Sequence, residues 1–387
     1  MAPKTLQLGR PKAILLSPKV WHTIGGHEKY LTARLARRFE VTVLDLVDFG
    51  GRYKKMGKNP FPLPEGARLV ERPTPPTLPL QGLYLELANG LRVLFCRAEL
   101  LVTYLTLGGV LAALAARLRG IKILFIYADD YVAFYRAKSR LAGWMTANIA
   151  NPLVARLADG AAATARLLAE DLRPYNPGVE HIPNGVDAAR LAGAPPKTGG
   201  PFRVGFIGGF GHWVDFESIL EAARRLPEVE FRLIGGGDRF DEVEAMSHDL
   251  ANVSLTGPLP YDRVVEEMGR LDACLIAFKV NPLTDRVSPI KLFESWAANR
   301  PAICSPVREV LETAGQPGDQ DAAALYYQDG AGLAGAIAKL QADPALGQRL
   351  AAEGAKRLAE HDWDRLMERY WGLLRQMGFE ADLAGEA

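Results

Sequence analysis

Short runs of β-branched and aliphatic residues alternate with segments rich in Ala, Leu and Arg along the chain. AILLS (13–17), VTVLDL (41–46) and KILFIY (122–127) have strand character, and helical segments lie between them. The alternation restarts at RVGFIGG (203–209), after the Pro- and Gly-rich segment AGAPPKTGGP (192–201). Strands that alternate with helices predict parallel α/β sheets. A restart after a linker predicts two doubly wound domains, and the length of 387 residues suits two better than one.

The predicted domains are residues 1–190 and 201–361, followed by a C-terminal helix and tail at 362–387. The segment DWDRLMERYWGLLRQM (362–377) places Trp363, Leu366 and Tyr370 at helical spacing. We therefore expect this helix to pack back across the domains. Doubly wound sheets bind ligands at the carboxyl ends of their strands, so two of them predict a cleft that holds a ligand.

Composition limits the class of protein. Hydrophobic residues make up 48% and charged residues 24% of the chain, as in soluble globular proteins. The three cysteines are widely separated, which predicts free thiols in a reducing, cytoplasmic compartment. No cluster of residues has metal-ligand spacing, so the sequence predicts no metal site. The apolar run near the start is too short for a secretory signal.

Two apolar segments are relevant to whether the chain spans or contacts a membrane. The uncharged segment 100–116, LLVTYLTLGGVLAALAA, is shorter than the ~20 residues that span a bilayer, and its Gly-Gly pair predicts a break between a strand and a helix. The segment 78–95, LPLQGLYLELANGLRVLF, is expected to be an apolar loop region. Residues 1–185 carry 25 Lys and Arg against 14 Asp and Glu, whereas the remainder carries 21 against 31. A basic N-terminal domain predicts contact with an anionic membrane surface, and a solvated basic face is the alternative.

The glycine turn in VGFIGGFGH predicts a phosphate site. Gly208 and Gly209 follow a buried strand and precede a helix, so backbone N–H groups can approach an anion there. The dinucleotide-binding pattern of a dehydrogenase is incomplete, because Val214 stands where a third small residue is needed.

The segment VSPIKLFESWAANRP (287–301) supplies matching side chains. Ser288 is expected to cap a helix that starts near Pro289, which puts Lys291 in the first turn. A lysine there opposes the helix dipole, unless an anion is bound. Glu294 lies on the same face, so a diphosphate could bind Lys291 while ribose hydroxyls bind Glu294. An ordinary ion pair between the two is the alternative.

At this point the chain resembles a known family. HIPNGVD (181–187), LIGGG (233–237), VSLTGPLPYDRV (253–264) and above all SPIKLFESWAANRPAIC (288–304) resemble the GT-B glycosyltransferases of the family 4, or group 1, type. The likeness is greatest to bacterial cell-surface polysaccharide enzymes. It implies two Rossmann-like domains that face a central cleft, with the donor nucleotide in the second domain and the acceptor in the first.

The resemblance also implies roles for particular residues. Glu294 corresponds to a ribose-binding glutamate and Lys291 to a lysine that neutralises the diphosphate, with Ser288, Gly208 and Gly209 beside the donor. On the acceptor side, the first glycine loop corresponds to Gly25 and Gly26, with His27 and His22 as secondary candidates.

This chain departs from the family at two places. Arg286 stands where many members have a first glutamate, and an Arg/Lys pair expected after the glycine turn is missing. The diphosphate charge would then be met by Lys291 with help from Arg286. The missing glutamate leaves open whether the reaction retains or inverts configuration.

The catalytic candidates are Asp129 and Asp130, which directly follow the predicted strand KILFIY. A carboxylate there could deprotonate an acceptor hydroxyl or position substrate, and an N-cap role for one of the two is the alternative. His181 is expected to be structural, His248 and His361 to lie on the surface, and His212 to face either phosphate or solvent.

Together these features predict a metal-independent, hexosyltransferase-like enzyme that needs no cofactor. Its donor would be a nucleotide sugar, its acceptor a saccharide or a lipid-linked saccharide, and its role cell-surface polysaccharide or glycolipid biosynthesis at the inner face of the membrane. No motif indicates a nucleic-acid partner. A nucleotide-sugar epimerase of the same fold and a non-catalytic nucleotide- or sugar-binding protein are the alternatives.

Overall fold

The computed structural model describes residues 10–18, 21, 26–46, 62–72, 78–195, 197 and 199–379. The strands are β1 (Lys12–Leu16), β2 (Glu40–Leu46), β3 (Ala67–Arg72), β4 (Leu100–Thr103), β5 (Lys122–Tyr127), β6 (Gly160–Ala163), β7 (Glu180–His181), β8 (Arg203–Ile207), β9 (Glu230–Ile234), β10 (Val253–Thr256), β11 (Ala273–Ile276), β12 (Ala302–Cys304) and β13 (Ala324–Tyr326). The helices are α1 (His27–Leu35), α2 (Leu78–Phe95), α3 (Val110–Arg119), α4 (Tyr131–Lys138), α5 (Arg140–Met145), α6 (Asn151–Leu157), α7 (Arg166–Leu172), α8 (Ala188–Ala192), α9 (Phe216–Arg225), α10 (Phe240–Ser247), α11 (Tyr261–Gly269), α12 (Ile290–Ala297), α13 (Arg308–Ala314), α14 (Gly330–Ala342), α15 (Pro344–Leu358) and α16 (Trp363–Gln376). A π-helical turn, Thr146–Ala150, follows α5, and a 3-10 turn, Thr284–Arg286, precedes α12.

The strands form two parallel sheets. The first has the order β3-β2-β1-β4-β5-β6-β7, and the second has the order β10-β9-β8-β11-β12-β13. Apolar side chains cover both faces of each sheet, as parallel sheets require. The strand order reverses between β1 and β4 and again between β8 and β11. These are the switch points where doubly wound sheets bind ligands. The predicted fold class, two Rossmann-like sheets, is confirmed.

The two apolar segments of the first half form one strand and two helices. Residues 100–116 form β4 and the start of α3, separated by Gly108 at φ +90°, as predicted. Residues 78–95 were expected to be a loop, and this prediction is wrong, because they form α2. The exposed Leu83, Leu87 and Leu91 recur every four residues, which is the spacing of one helical face. Within the residues described here, no helix is both long and apolar enough to cross a membrane.

Helix α16 lies against the first sheet rather than the second. Its buried Trp363, Leu366 and Tyr370 join the core that contains Leu31 and Leu35 of α1. The Trp363 ring stacks on Tyr30 with 5.3 Å between ring centroids. The chain thus leaves the second sheet and completes the core of the first, while the predicted domain limits stay predictions.

Charged pairs join the two halves. Arg166 Nη1 lies 2.9 Å from Glu309 Oε2, and the Arg166 backbone N–H donates to the same buried carboxylate. Arg166 Nε also lies 2.9 Å from Glu312. Arg308 reaches Glu170 at 3.5 Å. These contacts connect α7 of the first half with α13 of the second.

Candidate functional site

The glycine turn after β8 interlocks with the turn after β9. Gly208 has φ +150° and Gly235 has φ +138°, conformations that L side chains rarely adopt. A Cβ on Gly235 would overlap the Gly208 carbonyl oxygen, so the two turns need glycine to pack. At Gly209 no atom lies within 4 Å of the position that a Cβ would take. The turn therefore keeps open space beside its backbone at the switch point of the second sheet.

Lys291 lies directly under this turn. It is the second residue of α12, and a Cβ on Gly208 would overlap its side chain. Its Nζ lies 5.7 Å from the centroid of the Phe206 ring. Among the described residues, it has no hydrogen-bond or ion-pair partner. Burial lowers the pKa of Lys291, and the Glu294 carboxylate partly opposes that shift. A half-buried ammonium without a partner, at a glycine turn, is suited to bind an anion.

Glu294 lies on the same side of α12 as Lys291. Burial raises its pKa, whereas the charge of Lys291 and the Tyr261 hydroxyl both lower it. The two side chains do not form a contact ion pair, so the alternative of a simple salt bridge is not what the structure has. Tyr30 of α1 also lies near this carboxylate, which contributes to raising the pKa of Tyr30 to about 12, mainly through burial. The Glu294 carboxylate therefore acts electrostatically on a residue of the first half of the chain.

Ser288 does not cap α12, so that part of the prediction is wrong. The N-cap residue is Pro289, and no side chain caps this helix. The Ser288 hydroxyl instead accepts a hydrogen bond of 3.0 Å from the backbone N–H of Asn184. It thus fixes the entry of α12 to the segment that leads from the first sheet to the second. A contact between Ser288 and phosphate stays a prediction.

Arg286, a candidate on the donor side, lies next to Asp130, a catalytic candidate of the first half. Its Nη1 pairs with Asp171, and its Nε lies 3.7 Å from Asp130 Oδ2. The guanidinium is therefore directed at carboxylates of the first half. Its contribution to a diphosphate site stays a prediction and would require these pairs to change.

Asp130 is the N-cap of α4, because its carboxylate accepts a 2.9 Å hydrogen bond from the Ala133 N–H. This matches the capping alternative for one of the two aspartates. Asp129 is exposed, and its carboxylate helps burial to raise the pKa of Tyr131 well above its usual value. Both carboxylates follow β5 at the carboxyl end of the first sheet, as expected.

His27 is a core residue, and its assignment to the acceptor loop stays a prediction. Its ring is 6% exposed, its Nδ1 lies 2.8 Å from the Tyr104 hydroxyl and its Nε2 lies 2.9 Å from the Tyr370 hydroxyl. Because Tyr370 belongs to α16, His27 helps to hold that helix on the first sheet. Gly26 directly precedes α1, whereas Gly25 and His22 lie outside the described residues.

The other histidines divide into two groups. His248 is exposed, as predicted, and so is His212, which has no partner within the described structure. The prediction of a surface position is wrong for His361, whose ring stacks on Phe293 at 3.9 Å and whose pKa falls to about 4 through burial. Burial also lowers the pKa of His181 to about 4, in keeping with the structural role expected for it.

Two carboxylate environments were missed by the sequence analysis. Asp171 pairs with Arg286 across the two halves, and no local sequence pattern signals such a contact. Glu28 is 2% exposed and its Oε1 has no hydrogen-bond partner. The spacing Gly26-His27-Glu28, directly after the first glycine pair, was a signal that could have drawn attention to Glu28. In the described part of the chain, no three His, Cys, Asp or Glu side chains form a group that could hold a metal ion.

Comparison with known proteins points to one class of enzyme. Residues 215–371 match the family described as glycosyl transferase-like. The chain is 35% identical over 105 residues to the putative teichuronic acid biosynthesis glycosyltransferase TuaH of Bacillus subtilis, covering 26% of this chain and 25% of that protein. It is 28% identical over 223 residues to a phosphatidyl-myo-inositol mannosyltransferase of Mycolicibacterium smegmatis, covering 53% of this chain and 55% of that protein.

The fold match is longer than the sequence matches. The structure of Anabaena Alr3699/HepE in complex with UDP-glucose superposes with a TM-score of 0.71 at 14% identity, covering 94% of this chain and 99% of that one. The sequence matches span only about a quarter to a half of the curated relatives. The chain thus has the GT-B fold and resembles the GT-B glycosyltransferases, with a glycosyl transferase-like segment at residues 215–371.

Proposed function

We propose that this protein is a glycosyltransferase that moves a sugar from a nucleoside-diphosphate sugar to a hydroxyl acceptor in cell-surface polysaccharide or glycolipid biosynthesis. The observation that carries the proposal is the arrangement around α12. An unpaired ammonium, Lys291, lies under the glycine turn at Gly208, and a carboxylate, Glu294, lies three residues further along. This geometry suits a ligand that carries a diphosphate next to a ribose. A donor nucleotide contains both groups.

The chemistry follows from the charges. As the bond between the sugar and the diphosphate breaks, negative charge grows on the leaving phosphate oxygen. Lys291 and the N–H groups of the glycine turn are placed to stabilise that charge, which is the function of a preorganised electrostatic site. In our proposal, Glu294 holds the ribose and Asp129 accepts the proton of the acceptor hydroxyl or positions the acceptor. The proposed enzyme needs no metal ion.

Relatives guide the choice of donor and acceptor. The Anabaena structure holds UDP-glucose, and the two curated relatives are named for teichuronic acid biosynthesis and for mannose transfer to phosphatidyl-myo-inositol. We therefore favour a uridine or guanosine diphosphate sugar as donor. We favour a saccharide or a lipid-linked saccharide as acceptor.

The test is a thermal-shift titration with UDP, GDP, ADP and dTDP on the native chain and on Lys291→Ala. A nucleotide at ~100 times its Kd adds ~2.7 kcal/mol to the free energy of unfolding. One nucleotide should stabilise the native chain, and its Kd should rise about 10- to 100-fold in the variant, because a charge-assisted interaction is lost.

Lys356→Ala is the matched control. Lys356 is an exposed lysine on α15 that pairs with Glu353, so its loss should leave nucleotide binding unchanged. Equal binding by the native chain and Lys291→Ala would rule out the diphosphate site. Release of the nucleoside diphosphate that depends on an acceptor separates a transferase from an epimerase and from a binding protein.

We further propose that the enzyme works at the cytoplasmic face of an anionic membrane. The segment from α4 to the π-helical turn, residues 131–150, exposes Phe134, Leu141, Trp144, Met145 and Ile149. It also exposes Arg136, Lys138 and Arg140 and contains no acidic residue. Apolar side chains among basic ones favour an anionic lipid surface. The segment starts beside Asp130, so a lipid-linked acceptor docked there would lie near the candidate catalytic carboxylates.

Liposome sedimentation tests the membrane proposal. The native chain should sediment with vesicles that contain anionic phosphatidylglycerol and much less with phosphatidylcholine alone. Leu141→Glu/Trp144→Glu should weaken this binding, whereas Leu87→Glu/Leu91→Glu on the exposed face of α2 serves as the control. If the α2 variant alone loses binding, the membrane contact lies on α2. Equal, negligible sedimentation with both vesicle types would exclude the contact.

A further inference from the structure

Glu28 carries a buried carboxylate that the fold leaves without a partner. The residue is 2% exposed, Oε1 has no hydrogen-bond partner, and no basic side chain in the described ranges forms an ion pair with it. Burying a carboxylate without compensation lowers the stability of a fold. The helix dipole at the first turn of α1 offsets only part of that loss. The carboxylate therefore costs stability in the unliganded protein.

The location of Glu28 is that of a ligand-binding residue. Glu28 follows β1, Tyr104 follows β4 and Tyr131 follows β5, and these three strands are neighbours in the first sheet. The switch point of the sheet lies between β1 and β4. Burial raises the pKa of Tyr131 well above its usual value, and Asp129 and Glu28 add to that shift. Both carboxylates thus act electrostatically on the same phenol.

Gly26 provides the space that Glu28 occupies. A Cβ at position 26 would overlap the Glu28 carboxylate. Its backbone is extended, at φ −145°, so the need for glycine here is one of space rather than of conformation. His27, between them, is fixed by the hydroxyls of Tyr104 and Tyr370. The three residues thus form a unit in which His27 anchors the start of α1 and Gly26 leaves room for an unpaired carboxylate.

We propose that the Glu28 carboxylate accepts a hydrogen bond from a hydroxyl of the sugar acceptor and so orients the acceptor beside Asp129. The inference rests on the proposed glycosyltransferase function and identifies an acceptor-binding residue for it. A polyhydroxyl acceptor supplies the O–H donors that the orphan carboxylate lacks. Glu28 transfers no proton in this scheme, because Asp129 is the candidate base.

The experiment compares Glu28→Gln with Glu86→Gln. Glu86 is a partly buried glutamate of the same half of the chain. It accepts hydrogen bonds from the Gly108 and Leu111 N–H groups at 2.6 and 2.9 Å. The same substitution at Glu86 therefore removes a charge that stabilises the fold. The acceptor probes are octyl β-D-glucopyranoside and octyl α-D-mannopyranoside. The donors are UDP-glucose and GDP-mannose. Nucleoside diphosphate release, with and without the acceptor, and the melting temperature are measured for each protein.

Glu28→Gln should raise the KM for the acceptor about tenfold, because the hydrogen bond is then accepted by a neutral amide oxygen and no longer by a carboxylate. Donor hydrolysis without acceptor and UDP or GDP affinity should not change. The variant should melt at or above the wild-type temperature, since the costly buried charge is gone. Glu86→Gln should melt at a lower temperature and keep the acceptor KM.

Either of two results would overturn the inference: a wild-type acceptor KM in Glu28→Gln, or a clear fall in its melting temperature, which would mark the carboxylate as structural. A wild-type protein that binds nucleotide and transfers sugar while Glu28→Gln behaves identically refutes only the role of Glu28. A wild-type protein that neither binds a nucleotide nor transfers sugar refutes the proposed function, and the acceptor role falls with it.

Discussion

His27 follows Gly26 in the first half of the molecule, Lys291 lies under the glycine turn at Gly208 in the second, and the fold treats the two residues in opposite ways. Both ring nitrogens of His27 have hydroxyl partners within the core. Lys291 has no polar partner in the described part of the chain, although it lies under a glycine turn. Buried polar groups are normally satisfied by the protein itself. The difference teaches that a polar residue near a glycine loop is a site candidate when the fold leaves it unsatisfied.

The aspartates after β5 give the largest expected effect. Asp130 caps α4 and lies near Arg286, whereas Asp129 is exposed at the carboxyl end of the sheet. Asp129→Asn should lower kcat about 10²- to 10⁴-fold if the carboxylate is the general base, with nucleotide affinity unchanged. Asp130→Ala is the control and should cost about 1 kcal/mol of folding free energy through its cap. Steady-state kinetics with both variants measure this, and an Asp129→Asn enzyme with normal kcat would end the catalytic assignment.

His27→Phe tests the residue whose polar atoms all have partners within the fold. The substitution leaves the Tyr104 and Tyr370 hydroxyls without their ring-nitrogen partners, so we expect a loss of about 2–4 kcal/mol of unfolding free energy. Urea denaturation followed by tryptophan fluorescence measures it, with nucleotide affinity unchanged. Normal stability together with weakened acceptor use would return His27 to the acceptor site.

Lys291→Met provides the opposite case. Because the half-buried ammonium has no polar partner to lose in the described part of the chain, this variant should unfold at or above the wild-type urea concentration while its nucleotide Kd rises about 10- to 100-fold. A marked loss of stability would mean that Lys291 supports the fold rather than a ligand. The paired outcomes for His27→Phe and Lys291→Met therefore test the same idea from both sides.

The smallest expected effect is on pH dependence. Burial lowers the pKa of Lys291, and the diphosphate prefers the charged ammonium. The charged form is complete below that lowered pKa, so nucleotide affinity should fall as the pH rises through it, at a pH below the ordinary value of 10.5. Calorimetric titration between neutral and alkaline pH should show this decline in the native chain and a flat profile in Lys291→Met. The same decline in both proteins would mean that another group titrates.

The sequence allowed prediction of the architecture and the donor side of the site better than of the acceptor side. The alternation of strands and helices identified both sheets, and the Ser-Pro-x-Lys-x-x-Glu spacing located Lys291 and Glu294, because residues three apart share a helix face. The same approach failed for His361 and did not identify the partners of His27. The rings that surround them come from α16 and α12, which are far away in the chain.

By itself, the sequence determined what short-range chemistry fixes: the strand and helix periods, the glycine turns, and the placing of a lysine and a glutamate on one turn of α12. Only the tertiary structure decided which polar groups were satisfied. Arg286 meets Asp130 and Asp171, Ser288 binds Asn184, and His27 is enclosed by Tyr104 and Tyr370. In the described part of the chain, Oε1 of Glu28 has no hydrogen-bond partner. The physical reason is that a hydrogen bond or an ion pair depends on distances of about 3–4 Å in space. Residues that are more than a hundred positions apart meet at such distances only after the sheets and α16 have packed.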